Sequence, residues 1–577
     1  MDEKRDAEVT APAETGPAGP AAESDEDPRE PDKDLRELYE RRTKTEDAAR
    51  PEAVRRRHAA GARTARENIG ELIDEGSWVE YGRYAIAAQR ARRPIDELIE
   101  RTPADGLLAG TARINGELFG REAAGCAVLS YDYTVLAGTQ GALGHRKKDR
   151  LFELIERMRL PTILFAEGGG GRPGDTDYPV VSALDTRAFA LWAKLSGLVP
   201  RIAIVKGMCF AGNAMLAGCS DLIVATEDVS IGMGGPAMIA GGGLGEVAPE
   251  DVGPISMQAP NGVVDLVVAD EREAVAAVKR LLGYFQGPLP SHAGPLPRHV
   301  LRARAYGANE DNDLSEHAGD RNGGVPDQTK LRELVPARER RAYPVKPIVE
   351  TLADEGSATF LRERHAPELA TALARIEGRT VGFIANDTMH AAGAITSDAA
   401  DKAARFMQLC DAFGLPLISL VDTPGIMVGP KAEQTGLVRH ASRLLLAGAT
   451  LRVPLIAVIL RRGYGLGAQA MTGGSLHEPL LTVAWPSAHL GPMGLEGAVR
   501  LALRRELEAI ADEDERERRV KDLTAAAREN AKALNAATLF ELDDVIDPAE
   551  TRWAIAATLN AAANVPREPG RRYVDSW

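Results

Sequence analysis

Cysteine is scarce in this sequence: its 577 residues include four, Cys126, Cys209, Cys219 and Cys410. No two of them are spaced as in a CxxC motif, and they fall in apolar runs. Zinc sites and disulfide frameworks of small secreted proteins depend on such paired spacings. We therefore expect buried free thiols in a reducing compartment, and no metal site.

Long hydrophobic runs are missing as well. No apolar stretch approaches the length that spans a membrane, and the N-terminus shows no apolar signal-peptide core. These features predict a cytoplasmic protein without a membrane partner. The excess of positive charge that binds nucleic acid is also absent, because the formal net charge is −14, and we expect no nucleic-acid partner.

Much of the negative charge lies at the start of the chain. Residues 1–33 contain eleven acidic and four basic side chains, with few large apolar ones. Such a segment cannot bury enough surface to offset the entropy of an ordered chain. We predict a disordered acidic tail over 1–33.

Aromatic residues are few, at 5% of the chain, whereas glycine alone numbers 57. Abundant alanine, glycine and valine are typical of α/β layers, in which helices pack closely on parallel strands. At this length the chain can form two large domains, each with its own core.

One stretch of the sequence occurs twice. A shift of 254 places Pro200–Val205 on Pro454–Ile459 and Phe210–Ala214 on Tyr464–Ala468. Upstream, a shift of 255 pairs Asp132 with Asp387, Gly138 with Gly393, Lys147 with Lys402, and Arg150 with Arg405. The repeat predicts a single α/β fold used in tandem. We assign residues 34–285, which open with a helical segment, to the N-half, residues 286–343 to a linker, and residues 344–577 to the C-half.

The repeated stretch has the pattern of a buried strand, a glycine-lined turn and a short helix. In the N-half the turn falls at Ala211–Asn213 and in the C-half at Gly465–Gly467. Backbone N–H groups at such a turn are unpaired, so they can bind phosphate or the oxygen of a developing enolate. The lysine and serine of a nucleotide P-loop are absent. A tight packing turn remains the alternative.

A second glycine-rich segment leads into a predicted helix whose first turns carry His145, Arg146, Lys147, Lys148 and Arg150. Cations at a helix N-terminus oppose the helix dipole unless an anion meets them. The cluster therefore favours a phosphate-bearing ligand, and a solvated basic face is the alternative.

The segment Gly207–Asp221 resembles the oxyanion-hole region of the crotonase superfamily, whose members polarise acyl-CoA thioesters. That superfamily usually has three glycines where this chain has Ala211, Gly212 and Asn213. The glutamates of its enoyl-CoA hydratases correspond to Met215 and Ala237, so the resemblance does not imply a hydratase.

The tandem arrangement resembles the carboxyltransferase component of biotin-dependent acyl-CoA carboxylases. The resemblance covers about Leu35 to Ala563 and rests on the arginine-rich segment His58–Glu67, the turn Val421–Gly425, the segment Arg461–Met471 and the motif Ala484–Pro486. It implies two crotonase-like ββα-spiral domains, the N-half binding acyl-CoA and the C-half binding biotin.

The resemblance also implies roles for individual residues. Amides near Gly212 and Asn213 would hold the thioester enolate, and amides near Leu466 and Gly467 would hold the ureido oxygen of biotin. The other implied roles are second oxyanion donors at Gly138 and Gly393, acyl-CoA binding by Lys147, Lys148 and Arg150, and acyl selectivity at Gln469, which stands where propionyl-type enzymes have Asp.

No Met-Lys-Met biotinylation motif and no ATP-grasp-like glycine loop occur in the sequence. We therefore expect biotin to be carried by a partner, a biotin carboxylase or biotin carboxyl carrier subunit. The resemblance also implies a homo-hexamer core. Acetyl-, propionyl- and longer acyl-CoA remain possible substrates. The alternatives are the carboxyltransferase subunit of a biotin-dependent acyl-CoA decarboxylase and a non-catalytic crotonase-like scaffold.

Overall fold

The computed structural model describes residues 32–178, 184–290, 325–338, 340–564 and 570–577. The acidic tail predicted for 1–33 lies almost wholly outside these ranges, as does much of the predicted linker. Across the described ranges, no helix combines the length and the hydropathy that crossing a membrane would require.

The N-half is built on a sheet of eight strands in the order β1-β2-β3-β4-β5-β6-β8, with β7 paired to β5. β1, β2 and β3 are antiparallel, and the strands from β3 onward run parallel. The strands are β1 Val79–Glu80, β2 Leu107–Arg113, β3 Gly125–Tyr131, β4 Thr162–Gly168, β5 Arg201–Phe210, β6 Leu222–Thr226, β7 Ser230–Gly232 and β8 Leu266–Val268.

The C-half repeats this sheet strand for strand, in the order β9-β10-β11-β12-β13-β14-β16 with β15 paired to β13. Its strands are β9 Thr359–Leu361, β10 Leu369–Ile376, β11 Arg379–Asn386, β12 Leu417–Thr423, β13 Leu455–Tyr464, β14 Leu481–Ala484, β15 His489–Gly491 and β16 Asp544–Val545. The tandem α/β architecture predicted from the repeat is confirmed.

Helices cover both sheets. Those of the N-half are Lys33–Thr43, Pro51–Ala59, Ala65–Leu72, Ile95–Arg101, Gly116–Ala123, Ala142–Met158, Ala188–Lys194, Gly212–Gly218, Pro236–Gly241, Ile255–Gln258 and Glu271–Gln286. Those that follow are Leu331–Leu334, Lys346–Leu352, Ser397–Phe413, Pro430–Glu433, Leu437–Ala449, Gly465–Met471, Leu495–Ala502, Arg504–Glu508, Glu513–Asn530, Ala533–Thr538 and Thr551–Ala561. The predicted N-terminal helical segment is present, and a capping box between Thr64 and Glu67 begins its third helix.

The two halves share an apolar core. The helix Glu271–Gln286 of the N-half and the helix Ser397–Phe413 of the C-half contribute buried side chains to one cluster, and Phe285 meets Phe413 edge-on at 5.2 Å between ring centroids. As expected, the cysteines are free; Cys126, Cys209 and Cys410 are buried, whereas Cys219 is half-buried.

A buried polar joint also links the halves at Asp265. Its Oδ1 accepts a 2.9 Å hydrogen bond from Nε of Arg362, and its carbonyl accepts the backbone N–H of the same arginine at 2.8 Å. Nearby, Nη2 of Arg405 donates to the carbonyl of Asp221 at 2.6 Å. Because both arginines belong to the C-half and both aspartates to the N-half, these bonds fix the orientation of one sheet against the other.

Removing Asp265 should therefore weaken the joint. We expect Asp265→Ala to destabilise the protein by about 3 kcal/mol, because it leaves the buried guanidinium of Arg362 without its carboxylate. Thermal unfolding measures the loss of stability. The control is Glu508→Ala, which removes an exposed ion pair with Arg504. Equal midpoints for the two variants would contradict the assigned role of the joint.

Candidate functional site

Each half ends one central strand in a residue with positive φ. After β5 the chain passes through Ala211, with φ 52° and ψ −121°, before the helix Gly212–Gly218. The residue at the equivalent position of the C-half is Gly465, with φ 57°. Glycine adopts this conformation without penalty, whereas an alanine there is strained by roughly 1–3 kcal/mol. The N-half therefore holds its turn against backbone strain.

The turn leaves backbone donors without acceptors. Among the described residues, the N–H groups of Gly212 and Asn213 have no protein partner, nor do those of Leu466 and Gly467. The first N–H groups of a helix have no intrahelical acceptor, and peptide dipoles favour negative charge there. The four residues that the sequence identified as primary donors thus present two equivalent pairs of free donors.

Each half also has a turn with left-handed backbone, after β3 in the N-half and after β11 in the C-half. Leu136, Ala137 and Gly138 have φ values of 49°, 53° and 63°. The equivalent Ala391, Ala392 and Gly393 have 43°, 52° and 76°. Successive left-handed residues other than glycine are rare, and such strain concentrates at functional sites. Sequence analysis missed this conformation, because only the glycines at its end signal it.

The predicted second donors need correction. The N–H of Gly138 already donates to the carbonyl of Val135 at 3.1 Å, and that of Gly393 donates to His390 at 2.8 Å. The left-handed turn closes these bonds, so neither glycine offers a free donor. Within the described ranges, the N–H groups of the preceding Ala137 and Ala392 have no acceptor.

Glycine-rich loops pack directly against both turns. A Cβ at Gly467 would lie 2.6 Å from the Cα of Gly425, and a Cβ at Gly170 would lie 2.9 Å from the Cβ of Ala211. Only glycine permits these approaches without displacing backbone. The loops after β4 and β12 therefore limit how far each turn can move.

A buried carboxylate lies near the end of each of the strands β4 and β12. Glu167, at the end of β4, accepts a 2.8 Å hydrogen bond from Nη1 of Arg57 and a second from Nη2. Burial raises the pKa of Glu167, and the arginine opposes that shift. At the equivalent place near the end of β12, Asp422 accepts hydrogen bonds from Nε of Arg461 at 3.0 Å and Nε of Arg462 at 2.6 Å. The repeat aligned these acids, but their arginine partners depend on tertiary structure.

Two side chains of the basic helix, Lys147 and Lys148, do not point to an exposed phosphate site as predicted. Nζ of Lys147 donates to the carbonyls of Ala104, at 3.0 Å, and Leu107, and burial lowers the pKa of Lys147 to about 8. Lys148 is buried, and burial lowers its pKa to about 7. Because both ammonium groups donate to protein oxygens, we no longer expect Lys147 and Lys148 to contact acyl-CoA. Arg150 remains exposed.

A cavity of about 620 Å³ opens beside the C-half turn. The exposed side chains of Leu466 and Gln469 line it, so the residue predicted to set acyl selectivity faces open space. Much of the remaining lining is apolar, with Leu476, Leu490, Pro492, Ala536 and Leu539. Among the described residues, no three His, Cys, Asp or Glu side chains are grouped as metal ligands would be.

Comparison with known proteins gives a consistent result. Residues 56–573 match the family described as carboxyl transferase domain. The chain is 31% identical over 530 residues to the biotin-dependent long chain acyl-coenzyme A carboxylase beta4 subunit of Mycobacterium tuberculosis, covering 91% of this chain and 94% of that protein.

Two solved structures are similar over most of the chain. One is described as a single-chain, multi-domain long-chain acyl-CoA carboxylase, with 50% identity, a TM-score of 0.82 and coverage of 92% of this chain and 49% of that one. This chain thus spans about half of that enzyme. The other is the transcarboxylase 12S hexamer with bound methylmalonyl-coenzyme A. It has 29% identity and a TM-score of 0.75, and the match covers 93% of this chain and 97% of that one. These neighbours confirm the crotonase-like tandem fold.

The close packing of the C-half turn gives a direct test. We expect Gly467→Ala to destabilise the protein by about 1–3 kcal/mol, because its Cβ would meet the backbone of Gly425. Gly218→Ala is the control, since no atom lies within 4 Å of a Cβ placed there. Thermal unfolding measures the stability of both variants. If Gly467→Ala were as stable as Gly218→Ala, the turn would not be tightly held.

Proposed function

The chain belongs to the carboxyl transferase domain family, and we propose that it transfers a carboxyl group from carboxybiotin to the α carbon of an acyl-CoA. It is a carboxyltransferase of the biotin-dependent acyl-CoA carboxylase type, which confirms the resemblance seen in the sequence. The alternative of a non-catalytic scaffold loses its basis, because both halves retain their free donors.

The observation that carries the proposal is the repeated pair of unpaired N–H groups. Gly212 and Asn213 present one pair and Leu466 and Gly467 the other, each at the end of an equivalent buried strand. A carboxyl transfer develops negative charge on two different oxygens. Two preorganised donor pairs in one chain match that requirement.

We assign one oxygen to each half. Loss of the α-proton places charge on the thioester oxygen, which the N–H groups of Gly212 and Asn213 would stabilise. Cleavage of the N–CO₂ bond places charge on the ureido oxygen, which the N–H groups of Leu466 and Gly467 would stabilise. One such donor contributes about 3 kcal/mol in comparable enzymes. Ala137 and Ala392 replace Gly138 and Gly393 as our candidates for the second donors.

Carboxybiotin supplies the CO₂, and in the family that the sequence resembles its freed nitrogen accepts the α-proton. This chain's own part is then to hold both oxygens and to keep the reacting groups apart from water. No side-chain base is required at either turn, which agrees with the non-ionisable Met215 and Ala237 near the N-half turn.

The similarity to a long-chain enzyme supports long acyl groups among the substrates. The cavity of about 620 Å³ lies beside the turn that we assign to biotin, so its volume does not set the length of the acyl group. The 50% identical neighbour is described as a long-chain acyl-CoA carboxylase. We propose that Gln469, which faces this space, contributes to acyl selectivity, and that the exposed Arg150 is the remaining candidate for a phosphate of coenzyme A.

The remaining proposals concern assembly. We propose that biotin is attached to a partner, a biotin carboxylase or biotin carboxyl carrier subunit, and that the chain forms a homo-hexamer in the cytoplasm. The relative from Mycobacterium tuberculosis is named as one subunit of a biotin-dependent enzyme, and the transcarboxylase 12S structure is described as a hexamer. No metal is needed for the chemistry described above.

Proline substitutions can test the role of each donor pair separately, because proline has no backbone N–H. We expect Gly212→Pro to lower acyl-CoA carboxylation on the order of 10²-fold while slow release of CO₂ from carboxybiotin continues. Leu466→Pro should abolish that release and leave acyl-CoA binding, measured by calorimetry, intact. Radiolabelled carboxybiotin measures the release.

Gly212→Ala and Leu466→Ala serve as controls, because each keeps the N–H and carries the same Cβ as proline. The assignment is wrong if both proline variants lose the same partial reaction, or if each loses no more than its alanine control. All four variants must first elute at the size of the wild-type protein.

A further inference from the structure

We propose that Lys148, Gln140 and Asn213 form a hydrogen-bonded relay that positions the N-half oxyanion turn. Nζ of Lys148 donates to Oε1 of Gln140 at 2.8 Å. Nε2 of Gln140 donates to Oδ1 of Asn213 at 2.6 Å. Nδ2 of Asn213 then donates to the carbonyls of Gly138 at 3.1 Å and Glu167 at 2.9 Å. All three side chains are buried.

The chemistry of its ends fixes the direction of the relay. A lysine ammonium can only donate, and backbone carbonyls can only accept. Each amide between them must therefore turn its oxygen towards Lys148 and its nitrogen towards the carbonyls. Rotation of either amide would place two donors or two acceptors face to face. The amide of Asn213 is thus oriented by its own two carbonyl acceptors, and the ammonium group at the other end of the relay favours the same orientation.

The last link of the relay connects the three segments that form the site. Asn213 belongs to the oxyanion turn itself, Gly138 to the left-handed turn, and Glu167 to the strand end that precedes the glycine-rich loop. Its backbone N–H is one of the proposed enolate donors, and the strained Ala211 lies two residues before it. The side chain therefore fixes the position of a backbone donor that strain would otherwise displace.

The C-half joins two of the equivalent segments, but not its oxyanion turn, by a different residue. The positions equivalent to Lys148, Gln140 and Asn213 are Ala403, Ile395 and Gly467, which cannot form a relay. Instead Nδ2 of Asn386, at the end of β11, donates to the carbonyl of Gly393 at 3.2 Å, and its Oδ1 accepts the N–H of Asp422 at 3.2 Å. Two asparagines at unrelated positions thus link equivalent pairs of backbone segments, and only the N-half asparagine belongs to the oxyanion turn.

A packing role does not explain Lys148. Among the described residues, no carboxylate lies within salt-bridge distance of its Nζ, which contacts a phenol oxygen at 3.1 Å, an amide oxygen, and the rings of Tyr131 and Phe189 at 5.8 Å. A buried cation without a carboxylate destabilises a fold, and an apolar side chain of similar volume would pack there at lower cost. The hydrogen bond of Lys148 to Gln140, which itself bonds to Asn213, connects this ammonium group to the turn.

The relay rests on the proposed function, because its effect is on the donors to the enolate. We expect Lys148→Met, Gln140→Leu and Asn213→Gly each to lower kcat for acyl-CoA carboxylation roughly tenfold to a hundredfold, with KM for acyl-CoA nearly unchanged. Because the three act as one unit, Lys148→Met combined with Asn213→Gly should be no slower than the slower single variant. Lys148→Met should be at least as thermostable as the wild type.

Gln328→Leu is the matched control. Gln328 is a buried glutamine that donates from Nε2 to the carbonyls of Pro326 at 2.9 Å and Thr351 at 2.6 Å, away from both turns. We expect its replacement to lower stability without changing kcat. Hydrogen exchange of a peptide covering residues 207–219 gives a second readout, and exchange there should be faster in each relay variant.

Four results would overturn the relay: unchanged kcat in the variants, a raised KM with kcat retained, additive losses in the double variant, or losses of kcat that follow losses of thermal stability. Unchanged exchange in residues 207–219 would overturn it as well. A wild-type protein that transfers no carboxyl group with its biotin-bearing partner would instead overturn the proposed function, and the exchange measurement would then still decide whether the relay holds the turn.

Discussion

The site in each half depends on how one buried parallel strand ends. β5 and β13 both pass through a residue with positive φ into a short helix, and this geometry leaves two N–H groups without acceptors. Unpaired donors next to a buried sheet are unfavourable unless a ligand or water meets them. Two such pairs at equivalent positions agree with the binding of negatively charged oxygen that we propose.

The surrounding polar groups hold these turns in place by different means. In the N-half, Glu167 binds Arg57 through its carboxylate and Asn213 through its carbonyl. In the C-half, Asp422 binds Arg461 and Arg462. Both acids lie at the ends of fully buried strands, where an unpaired carboxylate would be strongly destabilising. The duplication thus preserves the backbone geometry while its supporting side chains have changed.

The sequence predicted the features that depend on local pattern. The repeat identified both turns and the tandem sheet, because strand, glycine turn and helix occur in the same order twice. The four donors were implied by the family resemblance and remain a prediction. The sequence could not predict that the N–H groups of Gly138 and Gly393 form hydrogen bonds inside a left-handed turn. Leucine and alanine rarely have positive φ, so Leu136 and Ala391 give no sign of this conformation.

The basic helix was misinterpreted for a different reason. Its charge suggested an anion site, but Lys148 lies three, four and seven residues before Leu151, Phe152 and Ile155, on the face that the helix buries. That spacing was present in the sequence and favoured an inward lysine. Gln140 lies only eight residues before Lys148, but Asn213 is distant along the chain, so the relay itself required the structure.

The most direct test of the account is a crystal structure of the protein with both an acyl-CoA and free biotin bound. The account predicts the thioester oxygen within hydrogen-bond distance of the N–H groups of Gly212 and Asn213, and the ureido oxygen within the same distance of those of Leu466 and Gly467. The account would be contradicted if both oxygens lay at one turn, if the two ligands were exchanged between the halves, or if neither oxygen met these donors.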